Sequence, residues 1–250
     1  MMRIPILYED NHLLVVAKPP GIPSQGDESG DLDMLTLLKL DLKERYNKPG
    51  NVFLGLVHRL DRPVGGAMVF AKTSKGASRL SEAVRSRHFG KTYMCIAQGK
   101  PAVSEADLIH YIRKDQKRNQ VAVFDKPAPD AKDARLSYRI VAADEERSLI
   151  AVKLHTGRPH QIRAQLAHIG CPLVGDMKYG DCRGAASSHI ALWSTSLSFP
   201  HPVTKEQVTF HSVPDSTGIW SRYTNEQLEA AAACYTGDDD IPIHKKGRYL

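Results

Sequence analysis

The sequence has few cysteines, no long apolar run and no internal repeat, and these absences limit the classes of protein to which the chain can belong. Its four cysteines are too few and too scattered for a disulfide framework, which fits a reducing compartment. No apolar segment approaches the roughly 20 residues of a membrane-spanning helix. Glu9 and Asp10 lie where a signal peptide would have its apolar stretch. We therefore expect a cytoplasmic protein with no membrane partner.

Positive charge is modest overall but concentrated in two segments. The net charge is +6 over 250 residues and the pI is near 9.1. Between Lys72 and Lys91, six lysines and arginines accompany the single acid Glu82, and residues 113–120 add four cations against Asp115. Such local excesses indicate a phosphate-facing surface. Charge alone leaves solvated helix and loop faces as an equal alternative.

Strand-like segments outnumber helical ones and many follow one another directly. This order predicts an α+β fold with a mixed, mainly antiparallel sheet and flanking helices. Ser74 is the expected cap of a second helix, Pro159 opens a third, and Thr224 with Gln227 forms a capping box on a fourth. The first helix shows an apolar stripe of Leu35, Leu38, Leu42 and Tyr46. No convincing linker divides the chain, so we expect one domain, 1–250.

Asp61 lies in the segment "LVHRLDRPVGG" between Arg59 and Arg62, after the apolar run "VFLGLV". We interpret that run as a buried strand, which places the carboxylate at a strand end, where loops carry functional groups. A neighbouring guanidinium keeps a carboxylate ionised, and an ionised carboxylate in a cleft is a competent nucleophile or base. On this segment alone, a structural ion pair is the stronger interpretation.

Two further segments carry candidate functional groups. Arg158, His160 and Arg163 are expected in the first turns of the third helix, where cations oppose the helix dipole and so indicate a nearby anionic group. Arg163 lies beside the apolar face and is placed to reach inward to a carboxylate. Tyr93 is predicted on a strand, where a lone tyrosine is more often a core residue than a catalyst.

Together these segments resemble the RluA-type pseudouridine synthases, which convert uridine in structured RNA to its carbon-linked isomer. The resemblance covers most of the chain and rests on the order and spacing of six segments: "EDNHLLVVAKPPGIPSQ", "HRLD", "FGKTY", "TGRPHQIRAQLAHIG", "GDMKYG" and "HIALWSTSLSFPHP".

The resemblance implies a role for each of four residues. Asp61 would be the essential aspartate that attacks the ribose anomeric carbon or the uracil ring. Tyr93 would stack on the target base and help to remove its proton, and Arg163 would pair with Asp61. Arg59 would enter the RNA helix where the base has left. The implied reaction uses no cofactor and no metal, and the chain is expected to be a monomer.

A structured RNA, ribosomal or transfer RNA, is the implied partner, because a uridine must leave its helix before it can react. The residues expected to contact this RNA are cations and histidines near the three catalytic candidates and in the two basic segments. They are His58, Arg59, Arg62, Lys72, Lys75, Arg79, Arg87, Lys91, Arg113, Arg118, Arg158 and His160. Which RNA and which uridine react is not decided by the sequence.

The chain departs from the family pattern in two places. The family usually follows "HRLD" with two residues and then Thr-Ser-Gly, whereas this chain has Val64, Gly65 and Gly66. Two hydroxyls that would order the loop beside Asp61 are therefore missing. The first family motif also begins within ten residues of Met1. We accordingly expect a catalytic domain without the small N-terminal RNA-binding domain of many relatives.

Three alternatives remain open. The first is a non-catalytic RNA-binding or chaperone protein with the same fold. The second is a carboxylate-dependent hydrolase, which would need a second acid near Asp61 that the motifs do not offer. The third is a zinc site, although no CxxC pair is present. Its donors would be His168, Cys171, Cys182 and His189.

Overall fold

A computed structural model describes residues 3–115, 118–180 and 189–235. Among these residues, 3–89 and 196–212 form one compact unit, unit 1, and the others form a second, unit 2. Each unit is built from segments that are distant in the chain. The expected assignment of 1–250 to a single domain stays a prediction.

Eleven strands and four α-helices are described. The strands are β1 (Ile6–Glu9), β2 (Leu13–Lys18), β3 (Gly55–Leu56), β4 (Gly65–Ala71), β5 (Gly90–Gln98), β6 (Glu105–Asp115), β7 (Gln120–Phe124), β8 (Lys132–Ala143), β9 (Arg147–Leu154), β10 (Leu192–Pro200) and β11 (Gln207–His211). The helices are α1 (Met34–Arg45), α2 (Ser74–Arg85), α3 (Gln161–His168) and α4 (Asn225–Ala233). This content confirms the predicted α+β class with a mixed, mostly antiparallel sheet.

Unit 1 is organised around β4, whose seven residues are all buried. β2 and β3 both pair antiparallel with it, and β1 pairs antiparallel with β2. β11 pairs antiparallel with the second half of β10, from Ser196 onward. Alternating residues of these strands bury a core against α2, because one face of each strand is apolar. That core contains Leu13, Val15, Val69, Leu80, Phe89, Leu197, Phe199 and Phe210.

Unit 2 contains a run of antiparallel strands in the order β5-β9-β8-β6-β7. The register of the first pair places Tyr93 of β5 opposite Val152 of β9. α4 covers one part of this sheet through an apolar cluster that includes Met94, Ile96, Leu149, Trp220 and Leu228. A smaller cluster of Ile112, Val121, Ala134 and Ala164 packs α3 against β6, β7 and β8. β5, α3 and the β6–β7 hairpin carry the unit 2 site candidates.

The capping residues in the sequence predicted where the helices begin, with small differences from the observed starts of α2 and α3. The capping box of Thr224 and Gln227 is confirmed. The predicted cap Ser74 is wrong by one residue, because the Thr73 side chain accepts the hydrogen bond from the Gly76 N–H. α3 begins later than Pro159 indicates, since His160 adopts a left-handed conformation (φ 51°) just before the helix.

Two of the other expectations are only partly met. In α1, Leu38 and Leu42 of the predicted stripe are buried, whereas Tyr46 follows the helix and is 50% exposed. The run "VFLGLV" supplies only the two-residue strand β3 instead of a full strand. None of the helices described here is long and apolar enough to span a membrane.

Candidate active site

Asp61 lies on a tight turn in unit 1, between β3 and β4. The Val64 N–H donates to the Asp61 carbonyl at 3.0 Å and closes the turn, and β4 begins at the next residue. Asp61 itself is partly exposed, as a reacting carboxylate must be. The register places Lys18, at the end of β2, opposite Gly66. The last residue of β2 therefore lies next to the turn that carries the carboxylate.

Lys18 is fully buried and holds this turn by its main chain. Its Nζ donates to the carbonyls of Pro19 at 3.0 Å, Arg62 at 3.1 Å and Val64 at 2.8 Å, which uses all three ammonium hydrogens. Burial lowers the pKa of Lys18 to about 7, and the attraction of Asp61 opposes part of this effect. The only sequence signal for this role is a lysine at the end of an apolar strand.

Residues after Lys18 fix the same turn from its other side. The Ser24 hydroxyl donates to the Leu60 carbonyl at 2.7 Å, and the Leu60 N–H donates back to that hydroxyl at 3.2 Å. The Gly21 N–H donates to the Arg62 carbonyl at 2.8 Å. The Arg62 side chain itself turns to Asp31 and to the carbonyl of Gly21. Asp61 thus lies on a backbone that is anchored at the residues on either side of it.

In unit 2, Arg163 of α3 forms a buried ion pair with Asp176. Arg163 Nε and Nη2 donate to the two carboxylate oxygens at 2.8 and 2.7 Å, a bidentate arrangement. The exposed fractions of the two side chains are 5% and 0%. Asp176 belongs to the motif "GDMKYG", for which the sequence alone indicates no role. The pairing of Arg163 with Asp61, which belongs to unit 1, stays a prediction.

Tyr93 lies in the middle of β5 and is 6% exposed, so it occupies a core position in its strand, the more common place for a lone tyrosine; its neighbour Met94 is fully buried as well. Arg158, before α3, donates to the Asp133 carboxylate at 2.9 Å and to its carbonyl at 2.8 Å. His160 Nδ1 lies 2.8 Å from the Tyr179 hydroxyl. Near the start of α3, Arg158 and Arg163 therefore have carboxylate partners within the protein.

The unit 1 cations proposed for RNA divide into engaged and exposed groups. His58 is buried and its Nε2 accepts from the Val69 N–H at 3.0 Å, which makes it a structural residue here. Lys72 donates to Glu9 at 2.7 Å, and Arg79 donates to the Pro202 carbonyl. Arg59, Arg62, Lys75 and Arg87 are exposed to solvent, and Arg62 among them also pairs with Asp31.

The unit 2 cations divide in the same way. Arg113 and Arg118 are exposed near the tip of the β6–β7 hairpin, and the Arg113 guanidinium lies 5.0 Å from the Phe124 ring centroid. Lys91 of β5 is partly buried, and burial lowers its pKa. The hairpin therefore presents its positive charge to solvent more fully than the segment before α3 does.

One cluster of possible metal ligands lies outside these groups. The ligand atoms of His110, Asp125 and His168 are all within 4.8 Å of one another. Gln165 Nε2 lies near the carbonyls of Leu108 and Ala134, and 2.9 Å from His110 Nδ1. A hydrogen bond from this amide to Nδ1 would place the proton of the neutral ring on Nε2, which lies 3.7 Å from the Asp125 carboxylate. Of the four residues considered for zinc, Cys182 lies outside the described residues.

Comparison with known proteins identifies the family of this chain. The family model described as RNA pseudouridylate synthase matches residues 12–168, which include Lys18, Asp61, Tyr93 and Arg163. The chain belongs to this family, and the predicted resemblance is confirmed. Pseudouridine synthases are isomerases, the enzyme class that was predicted.

Curated relatives and solved structures agree with this assignment. The chain is 34% identical over 223 residues to the ribosomal large subunit pseudouridine synthase D of Yersinia pestis, covering 83% of this chain and 66% of that protein. It is 33% identical over 212 residues to the uncharacterized RNA pseudouridine synthase YjbO of Bacillus subtilis, covering 83% and 71%. The chain thus spans about two thirds of the length of such relatives.

The structure of human RNA pseudouridylate synthase domain containing 4 superposes with a TM-score of 0.72. The two chains are 23% identical, and the match covers 90% of this chain and 93% of the human one. At this identity the likeness establishes the fold.

Proposed function

We propose that this protein isomerises specific uridines of structured RNA to pseudouridine, with ribosomal RNA as the first substrate class to test. The relatives that support this choice are named ribosomal large subunit pseudouridine synthases. The observation that carries the proposal is the anchored turn of Asp61. A partly exposed carboxylate on a fixed backbone is what a nucleophile needs, because the reacting atoms must be held in one geometry. Transfer RNA is the second class to test.

In the proposed reaction, Asp61 attacks the target nucleotide while the bond between uracil and ribose breaks. The uracil rotates and is rejoined to the ribose through a ring carbon, and the bond between Asp61 and the nucleotide breaks. Tyr93 stacks on the base and helps to remove the proton from that carbon, while the ring nitrogen that has left the ribose takes up a proton. Arg163 supports the ionised form of Asp61. The uridine must first leave the RNA helix at a cost of a few kcal/mol, which Arg59 repays by filling the space. Arg59 is exposed and therefore accessible to RNA.

The exposed cations of both units supply the proposed phosphate contacts. A protein that neutralises several phosphates releases counterions, so its affinity falls steeply as salt rises. We expect Arg113→Ala and Lys75→Ala each to reduce the slope of log Kd against log salt by about one. Filter binding of a ribosomal RNA fragment over a salt series measures that slope. An affinity indifferent to salt contradicts the phosphate-facing surface.

The decisive experiment compares wild type with Asp61→Asn on cellular RNA, with pseudouridine mapped at nucleotide resolution. Asp31→Asn is the matched control, because Asp31 is an exposed carboxylate that pairs with the neighbouring Arg62. Wild type and Asp31→Asn are expected to give the same new pseudouridines, and Asp61→Asn none. Identical maps from wild type and Asp61→Asn would refute the enzymatic proposal. Retained RNA binding would then support a non-catalytic RNA-binding protein of the same fold.

A further inference from the structure

The turn at residues 175–180, with the sequence "GDMKYG", is connected to the hairpin of β6 and β7 by three hydrogen bonds. Gln120 Nε2 donates to the Lys178 carbonyl at 3.0 Å, and Lys178 Nζ donates to the Asn119 carbonyl at 2.8 Å. The Val121 N–H donates to the Tyr179 hydroxyl at 2.8 Å. The hairpin whose tip carries Arg113 and Arg118 is therefore tied to this turn. We call it the basic hairpin.

The same turn also holds Arg163. Asp176 pairs with the guanidinium and accepts the N–H groups of Lys178 and Tyr179 at 2.9 and 3.3 Å, so the carboxylate also orders the turn. The Arg163 guanidinium carbon lies 5.3 Å from the centroid of the Tyr179 ring, a cation–π distance. The Asp176 carboxylate and the Tyr179 ring, both in this turn, thus fix the position of the Arg163 guanidinium.

Tyr179 is the residue that both sets of contacts share. Its ring contacts Arg163, while its hydroxyl accepts from the Val121 N–H and shares a second hydrogen bond with His160 Nδ1. Val121 belongs to the basic hairpin, and His160 precedes α3. The Tyr179 side chain therefore connects the basic hairpin, His160 before α3 and Arg163 within α3.

We propose that Tyr179 is a positioning residue that keeps the basic hairpin and Arg163 in one fixed arrangement. RNA held by the hairpin cations is thereby kept at a set distance from Arg163. This inference rests on the proposed function for the RNA-binding role of the hairpin and for the role of Arg163. It adds a residue that itself touches neither the RNA nor the reacting atoms.

Tyr179→Phe tests the proposal, because it keeps the ring against Arg163 and removes only the hydroxyl. Tyr138→Phe is the matched control: this buried hydroxyl donates to the Val103 carbonyl and has no described contact with Arg163 or the basic hairpin. The assay is a single-turnover measurement of pseudouridine formation in a ribosomal RNA fragment at saturating enzyme, with Kd measured separately. We expect Tyr179→Phe to slow formation about tenfold, as loss of one or two hydrogen bonds would, and to change Kd less than about twofold.

Two results would overturn the proposal: equal rates for Tyr179→Phe and Tyr138→Phe, or a rise in Kd that accounts for the whole loss of rate. Coupling to the hairpin is tested by combining Tyr179→Phe with Arg113→Ala. If Tyr179 acts through the basic hairpin, the rate of pseudouridine formation in the double variant falls by less than the product of the two single-variant fold losses. Losses that simply multiply contradict the connection.

A second readout separates failure of this inference from failure of the proposed function. Amide hydrogen exchange at Val121 and the Arg163 Nε–H resonance are followed by NMR in both tyrosine variants. Faster Val121 exchange and a shifted Arg163 resonance in Tyr179→Phe alone support the positioning role. If wild type forms no pseudouridine, the proposed function fails, and unchanged NMR signals would then overturn the positioning role on their own.

Discussion

Asp176→Asn should destabilise unit 2 strongly, because it leaves the Arg163 charge buried with a neutral partner. The exposed fractions of the two side chains are 5% and 0%, and their contact is bidentate. Removing one partner of a buried pair typically costs 3–5 kcal/mol. Asparagine keeps the size of the side chain and one oxygen for the N–H groups of Lys178 and Tyr179, so we expect the lower end, about 3 kcal/mol.

The measurement is equilibrium unfolding in urea followed by tryptophan fluorescence. Both tryptophans of the chain, Trp193 and Trp220, belong to unit 2, so the signal reports the unit that contains Asp176. Glu105→Gln is the control, because it neutralises an exposed ion pair with Arg139 of the same unit that should contribute little. A midpoint for Asp176→Asn that equals that of Glu105→Gln would refute the assignment of a buried, stabilising pair.

Three further predictions concern stability. Lys18→Met should remove a pH dependence: the pKa of buried Lys18 is about 7 against 10.5 when unfolded, so the free-energy cost of burying its charge is complete below about pH 7 and absent above about pH 10.5. As pH rises from 6 to 9, the free energy of unfolding of wild type should therefore increase by about 3 kcal/mol relative to that of the variant. Urea unfolding that shows the same pH dependence for both proteins would contradict this. Thr224→Ala should cost about 1 kcal/mol by removing the capping box of α4, measured by urea unfolding; no change would mean that the cap is dispensable. Gly175→Ala should lower Tm far more than Gly170→Ala. Both glycines have positive φ, but only at 175 would an added Cβ lie 2.2 Å from the His189 carbonyl oxygen. Equal losses of Tm would refute this close approach.

The sequence predicted features that depend on neighbours in the chain. The α+β class followed from strand-like segments in direct succession, and the cap of α4 followed from Thr224 and Gln227. The prediction for the run before Asp61 was wrong in extent, because apolar content alone does not distinguish a full strand from the two-residue β3 flanked by loop residues of mixed burial, from Leu54 at 4% exposed to Phe53 at 50%.

Features that depend on distant segments were not predicted. Lys18 holds a turn more than 40 residues away in the chain, and Asp176 lies 13 residues from its partner Arg163. Neither contact leaves a local pattern. For the same reason, the sequence located the cations but not which of them are already engaged: Lys72 with Glu9 and Arg158 with Asp133 are occupied, while Lys75 is exposed.

The anchor at Lys18 bears on how freely the neighbouring residues can vary. Its ammonium binds carbonyl oxygens, which every amino acid possesses, so the contact with residue 64 does not require a particular side chain there. The contact is therefore present with Val64 and Gly65 in place of the Thr-Ser expected from the family pattern. What restricts these two positions is burial, because Val64 is 2% exposed and Gly65 lies in a strand whose residues are all buried.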